Sequence, residues 1–160
     1  MPLGDTMVSR STLTNSVTTF IRDVLRQNLS DPLGTRSGSE WIYKSRPEER
    51  EIDPPMVLIT CDEASYSQLT IDRDNPMIDR PRIRLDIRVW ARKISHRDEL
   101  ADSIASILSD PSSSDGTTTI AENQLVFKSI TMRDEDGFIS GFPKVLRIKR
   151  IECDFVYTGD

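Results

Sequence analysis

The residue types that carry most enzyme chemistry are sparse in this sequence. His96 is the only histidine, so a Ser-His-Asp arrangement would have to use it, and no nucleophile motif accompanies it. It lies near the start of a predicted helix, on the polar side, which favours a surface role over that of a catalytic base. Neither a GxGxxG loop nor a P-loop occurs, and the scattered Asp residues form no assignable acid/base pair. The sequence therefore predicts no enzymatic site and no bound cofactor.

Patterns for metal binding are equally weak. The two cysteines, Cys61 and Cys153, lie far apart in apolar runs, without the CxxC spacing of a zinc site. Free cysteine is a common core residue, so we expect buried thiols in a reducing compartment, with a disulfide as the unsupported alternative. Residues 72–75 (Asp-Arg-Asp-Asn) resemble the start of a calcium loop but lack its glycine and closing Glu. We expect a solvated acidic loop there and no metal site.

The most regular stretch of the chain is the alternating run from Arg82 to Trp90. Its apolar residues fall on one side and its polar residues on the other, the pattern of a half-buried strand. The polar side carries Arg82, Arg84 and Arg88, and Trp90 continues it. This face has three interpretations. It is a solvent face paired with acids such as Asp86, a protein interface, where Arg and Trp are favoured, or a nucleic-acid contact.

Two other groups of residues are candidates for contacts with partners. Trp41 and Tyr43 are separated by one residue in a predicted short strand, so we expect their side chains on the same face, either in the core or as an interface anchor. Acidic residues cluster in two predicted loops. They are candidates for loop contacts: Asp72, Asp74, Asp79, Asp134, Glu135 and Asp136.

Composition narrows the class of protein. A chain of 160 residues fits one domain, and a net charge of −5 argues against binding to a phosphate backbone. No apolar run reaches the ~18 to 20 residues of a membrane span, so no membrane contact is expected. Of the 21 basic residues five are Lys and 16 are Arg, while Asp outnumbers Glu by 17 to nine. This balance is typical of halophilic proteins or of an Arg-rich proteome from a GC-rich genome.

The elements expected to position these residues alternate between helix and strand. Apolar residues at helical spacing predict a helix from Leu13 to Leu29 and a second from Ser95 to Asp110, begun by a Ser95–Asp98 capping box. Strands are predicted at 41–43, 56–61, 65–71, 82–90, 125–132 and 144–157, the last with either a bulge near 147–150 or a departure from the sheet there. We therefore predict an α+β fold, a mostly antiparallel β-sheet with two amphipathic helices packed on one face. Residues 1–10 are predicted to be a flexible N-terminal arm before a single domain, 11–160.

This order of elements resembles that of tail completion or tail terminator proteins of long-tailed viruses, the family with the lambda-like tail terminator fold. The resemblance covers the whole domain. It includes the amphipathic first helix and the aromatic strand Trp41-Ile42-Tyr43 before the run from Pro54 to Ile59. It also includes the strand that ends at Trp90, followed directly by the second helix, and the long closing strand.

The resemblance implies a structural virion protein, not an enzyme. Subunits of this family are expected to form a ring, expected to be hexameric, at the head-proximal end of the tail. Expected partners are further copies of the chain, the tail tube protein and neck or connector proteins. DNA passes through the ring without specific binding, and the acidic loops at 72–79 and 134–136 are expected to line the lumen.

The same resemblance implies assembly in the host cytoplasm and a final location in the neck and tail region of the virion. The Asp-rich composition would suit a virus of a salt-loving host such as a haloarchaeon. Two alternative functions stay open: another head–tail connector component, a stopper or an adaptor, and a small non-viral protein-binding domain.

Overall fold

A computed structural model describes residues 8–44, 52–65, 80–139 and 142–159 of the chain. Its elements in chain order are α1 (Leu13–Asn28), β1 (Ile42–Tyr43), β2 (Met56–Ser65), β3 (Arg82–Ala91), α2 (Ile94–Ser109), β4 (Leu125–Asp134) and β5 (Arg147–Tyr157). The strands form one sheet in the order β1-β2-β3-β5-β4. Only β1 pairs in parallel, and the other pairings are antiparallel. The predicted α+β fold with a mostly antiparallel sheet is confirmed.

The main core brings both helices together with alternate residues of the sheet. On β3, the four apolar residues of the alternating run are fully buried, as the period of two predicts: Ile83, Leu85, Ile87 and Val89. The helices contribute the apolar stripes that face this cluster: Val17, Phe20, Ile21, Val24 and Leu25 from α1, and Leu100, Ala101, Ile104 and Leu108 from α2. The side of the sheet that supplies these strand residues is called the inner face below, and the other side the outer face.

A second, smaller cluster of buried residues covers one end of the outer face. It contains no helix residue, and its members come from the strands and the segments beside them: Ile52, Met56, Leu58, Trp90, Leu146 and Ile148. Tyr43, Ile139 and Phe142 pack against it. The outer face is therefore apolar at this end and charged along the rest of its length.

The first helix has the predicted extent to within one residue, but the predicted capping box of the second is wrong. α2 begins at Ile94, with Lys93 in the N-cap position and no side-chain cap hydrogen bond. Ser95 therefore lies inside the helix. The carboxylate of Asp98 is occupied elsewhere, by the Nε of Arg97 at 2.9 Å and the Nζ of Lys149 at 3.2 Å.

The bulge predicted near residues 147–150 of β5 is also wrong. β5 pairs with β3 in unbroken register from Arg147 to Val156. The apolar pattern breaks there because Lys149 pairs with two acids, Asp98 on α2 and Asp134 on β4. The bulges lie in β2, between Cys61 and Glu63, and in β4, between Phe127 and Ser129.

The predicted N-terminal arm ends earlier than residue 10. Val8 is 7% exposed, and its backbone N–H donates to the Oδ1 of Asn123 at 2.8 Å. A 3₁₀ turn follows at Arg10–Thr12, so residues 8–10 belong to the folded domain. Residues 1–7 lie outside the described part of the chain, as does the predicted strand 65–71 beyond Ser65, which ends β2.

The connection from α1 to β1 is fixed by an ion pair between Asp31 and Arg36. The Nη2 of Arg36 lies 2.8 Å from the Oδ1 of Asp31, and both side chains are almost fully buried. The same guanidinium donates to the carbonyl oxygens of Asp53 and Pro55, each at 2.7 Å, and packs over the ring of Trp41. Hydrogen bonding by Arg36 lowers the pKa of Asp31 to about 2. This pair therefore ties the connection to the segment that enters β2.

The two cysteines are free thiols separated by a strand. Cys61 on β2 and Cys153 on β5 both pair with Leu85 of β3. Two strand spacings place them about 10 Å apart, beyond the reach of a disulfide. Burial raises the pKa of both thiols. Cys153 is buried as predicted, whereas Cys61 is only partly buried.

Candidate assembly surface

The predicted arginine face occupies the charged part of the outer face, where acids on the same sheet balance it. The Nε of Arg84 lies 2.9 Å from the Oδ1 of Asp154, and this carboxylate raises the pKa of Arg84. The Nη2 of Arg88 lies 3.4 Å from the Oδ2 of Asp86. Arg82 is exposed and has no ionic partner among the described residues. The structure thus supplies the acidic partners that the solvent-face interpretation requires.

Asp86 is the most deeply buried charge of this face. It is 7% exposed, and its Oδ2 lies 3.3 Å from the Nε of Arg150 on β5. Neither its Oδ1 nor the Nε of Arg150 has a hydrogen-bond partner within the described ranges. The negative charge of the Asp86 carboxylate raises the pKa of Arg150. This ion pair sits in the centre of the sheet and holds the charged rows of β3 and β5 in register.

The aromatic residues predicted as contacts with partners do not lie where the sequence predicts. Trp41 is 1% exposed and belongs to the main core, whereas Tyr43 packs against the second cluster, so the two do not share a face. Trp41 precedes β1 and is not in extended conformation, which is why strand alternation fails there. Trp90 is 6% exposed in the second cluster. Burial within the subunit removes Trp41 and Trp90 as exposed interface anchors.

Of the predicted acidic loop residues, Asp134 is the last residue of β4 and not part of a loop, and it and the two acids that follow it are held in ion pairs. The Nη1 of Arg97 lies 2.9 Å from the Oδ1 of Asp136, and the Nζ of Lys149 lies 2.6 Å from the Oδ1 of Asp134. Glu135 pairs with Arg133 at 2.9 Å and lies 3.7 Å from Arg150. Asp72, Asp74 and Asp79 lie outside the described residues.

Two carboxylates at this junction, Asp136 and Asp98, have pKa values that are set by their partners. Burial opposes ionisation of Asp136, but hydrogen bonds from the N–H of Ile148 and from Arg97 prevail and lower its pKa. Hydrogen bonds to Arg97 and Lys149 lower the pKa of Asp98. Asp98 and Asp136 are therefore ionised at neutral pH, and they hold the start of α2 to β5 and to the segment after β4.

One open edge of the sheet is β4, which pairs with β5 on one side only within the described chain, and at the other edge β1 covers only Val57 and Leu58 of β2. Large apolar side chains lie exposed near both ends of this strand. Val126 is 42% exposed near its first residue, and Phe138 is 73% exposed four residues past its last. Val145, opposite Phe138 in the following loop, is 47% exposed. Sequence reasoning missed Phe138, because only its exposure distinguishes it from a core residue.

An apolar groove lies at the first end of β4, where α2 ends. Its volume is about 390 Å³. The side chains that line it include Leu108, Pro111, Ile120, Leu125, Val126 and Phe127. A larger groove of about 590 Å³ lies on the outer face and is mostly polar, with Arg82, Arg84, Lys128 and Asp154 in its lining.

The described ranges contain no group of three or more His, Cys, Asp or Glu side chains placed to hold a metal ion. His96 lies in the first turn of α2 and is partly exposed. Neither α1 nor α2, the α-helices of the described part, has the length and apolar character that a membrane-spanning helix needs. The sequence matches no protein-family model and no curated protein.

Proposed function

We propose that this chain is a structural subunit of a ring at the head-proximal end of a viral tail, of the tail completion or tail terminator type. The observation that carries the proposal is the open edge of β4, which has an apolar groove at one end and the exposed Phe138 at the other. Exposed apolar surface at both ends of one strand is typical of an interaction site.

A ring requires a head-to-tail contact between two different surfaces of the subunit, repeated until it closes. The two ends of β4 are different surfaces of this kind, because one is a groove and the other a projection. Repeated in one rotational sense, a contact between these two surfaces generates a ring. Two copies that exchange both contacts would instead form a two-fold dimer, and mass measurement distinguishes the two assemblies.

The charges of the sheet are compatible with DNA passing through such a ring. Arg84 and Arg88, two of the arginines that would attract phosphate, are balanced by Asp154 and Asp86 on the same face. The chain as a whole carries a net charge of −5. A duplex in the lumen would therefore meet little net attraction, as a conduit needs.

Mass measurement tests the proposal directly. The purified chain is examined by native mass spectrometry and light scattering across a dilution series at low and high salt, and by electron microscopy. We expect a closed ring, hexameric by the family resemblance, that binds one end of tubes assembled from the tail tube protein of the same virus. A chain that stays monomeric under all these conditions would overturn the ring.

A further inference from the structure

The loop between β4 and β5 presents an apolar knob, defined as Phe138 and Val145. The loop is closed by two backbone hydrogen bonds between Gly137 and Leu146, at 3.0 and 2.8 Å. Phe138 follows Gly137 and is 73% exposed, and Val145 precedes Leu146 and is 47% exposed. An aromatic ring exposed to this extent on a pinned loop contributes nothing to the core of its own subunit.

The apolar groove at the opposite end of β4 has the chemistry to receive such a knob. Its volume of about 390 Å³ exceeds that of one aromatic side chain. Leu108 and Ile120 form its buried floor, and Val126 lies at its exposed margin. Filling it with an apolar side chain from outside would remove this surface from water.

The knob cannot reach the groove of its own subunit. Phe127 lines the groove, and Phe138 lies eleven residues further along a backbone that stays paired with β5 up to Gly137. At the rise of a β-strand this places the knob about 30 Å away. The part of α2 between Arg97, beside Asp136, and Leu108, in the groove, separates the two surfaces by a further measure of about 16 Å along the helix axis. Any contact between knob and groove must therefore join two copies of the chain.

The charges around the two surfaces are complementary. Asp110 and Glu122 adjoin the groove residues Pro111 and Ala121, and both are exposed without a cationic partner in the described ranges. Lys144, next to Val145, is exposed and has no anionic partner there.

Two other cations near the groove offset part of the charge of its acidic rim. Arg10 donates to the carbonyl oxygen of Gly159 at 3.5 Å. Lys128 belongs to the lining of the polar groove on the outer face. Acidic and basic rims of this kind align two partners before the apolar contact forms.

The edge strand itself disfavours the alternative of extending the sheet. Lys128 and Arg133 project from β4, and a bulge interrupts its register between Phe127 and Ser129. Charged side chains and bulges are devices that prevent edge-to-edge strand pairing. The features of β4 therefore favour a contact made by side chains at its two ends.

We propose that the apolar knob of one subunit docks into the apolar groove of the next, head to tail around the ring. This inference rests on the proposed ring function, for which it names the contact between subunits. Phe138 is the anchor, and the acidic rim at Asp110 and Glu122 receives Lys144.

Two variants that each disable one half of the contact test the proposal. Phe138→Asp removes the knob and leaves the groove intact. Ala121→Arg places a long charged side chain at an exposed groove position and leaves the knob intact. Each variant alone should be monomeric, with the dissociation constant of the contact raised roughly 30-fold or more, as for an aromatic hot spot.

An equimolar mixture of the two variants should form dimers and nothing larger, because one intact groove meets one intact knob. Leu33→Ser, which removes an exposed apolar side chain elsewhere, is the matched control and should assemble like the wild type. Thermal unfolding verifies that each variant folds, and Val145→Asp replaces Phe138→Asp if that variant does not.

The possible outcomes separate the contact from the ring itself. A wild-type ring that persists in Phe138→Asp, or a mixture that stays monomeric, overturns the contact and leaves the ring standing. A wild-type chain that is monomeric at every concentration overturns both. Variants that are monomeric alone and dimeric when mixed support the head-to-tail contact.

Discussion

The guanidinium of Arg97 donates two hydrogen bonds to the carboxylate of Asp136, at 2.9 and 3.0 Å, across 39 positions of the chain. The side chain of Arg97 is 6% exposed, and Asp136 also accepts the backbone N–H of Ile148 at 2.7 Å. One carboxylate thus joins the start of α2 to the beginning of β5. This junction supports the base of the loop that carries Phe138.

Replacing Arg97 by Ala should destabilise the fold by about 2 kcal/mol, because Asp136 would keep only Arg147 as a charged donor and Asp98 would lose its bond from the buried guanidinium. Urea unfolding followed by circular dichroism measures the change. Arg133→Ala is the control, since that side chain is 59% exposed in its pair with Glu135 and should cost less than about 1 kcal/mol. Equal losses for the two variants would contradict the structural role of Arg97.

The pair of Asp31 and Arg36 predicts a specific loss of stability in acid. The hydrogen bond from Arg36 lowers the pKa of Asp31 from 3.8 to about 2. A carboxylate with a depressed pKa stabilises the fold fully above its unfolded pKa, and this contribution disappears as the pH falls through the folded value. The free energy of unfolding should therefore fall by on the order of 2 kcal/mol between about pH 4 and pH 2.

The Asp31→Asn variant isolates that contribution. It should be less stable than the wild type at neutral pH and lose less stability over the acid range. Asp102→Asn, at an exposed position of α2, controls for the loss of one negative charge. If the free energy of unfolding falls with decreasing pH equally steeply in the wild type and in Asp31→Asn, the pair of Asp31 and Arg36 does not cause the loss of stability in acid. Asp98 and Asp136, whose pKa values are also lowered, add to the acid loss in both proteins.

Thiol labelling should distinguish the two cysteines. Only the thiolate reacts, and burial raises the pKa of both groups. Cys61, which is partly exposed, should react slowly in the native protein, and Cys153, at 0% exposure, only as fast as the chain unfolds. Cys61→Ser should abolish the native reaction. Fewer than two thiols in the denatured, unreduced protein would reveal a disulfide and contradict the strand register.

The lumen hypothesis is best tested at Asp72, Asp74 and Asp79, which the sequence places in an acidic loop. Substitution of these residues by Lys should attract passing phosphates and slow genome delivery. We expect a lower infectious titre with an unchanged mass of the assembled ring. An unchanged titre would exclude this loop from the lumen. Asp134 and Asp136 are less suitable positions, because their substitution also breaks the ion pairs with Lys149 and Arg97.

The parts of the fold that could be predicted from sequence are those that a local repeat determines. The apolar spacing of α1 placed the helix to within one residue, since a helix buries one stripe of its own surface. The alternation in β3 likewise identified its buried side. In both elements the side chains that decide the structure lie within a few residues of one another.

The errors arose where distant parts of the chain decide the structure. Lys149 breaks the apolar pattern of β5 because acids on α2 and β4 pair with it. The residues near Lys149 in the sequence do not predict these partners. Trp41 was assigned to a strand that begins one residue later. Phe138 looked like any core phenylalanine, since its exposure depends on what packs over the loop. The candidate contact surface was therefore largely invisible in the sequence.

Positive and negative side chains alternate on the outer face, and this alternation limits the distance over which the electric field of its arginines extends. Arg84 lies beside Asp154, and Asp86 lies between Arg88 and Arg150. The fields of such neighbours cancel within a few ångströms, and salt screens the remainder over a Debye length of about 8 to 10 Å. A polyanion at a distance would therefore be attracted only weakly by these paired arginines. A molecule in direct contact could still form hydrogen bonds with each guanidinium. The paired arginines can therefore contribute to short-range recognition but not to long-range electrostatic attraction.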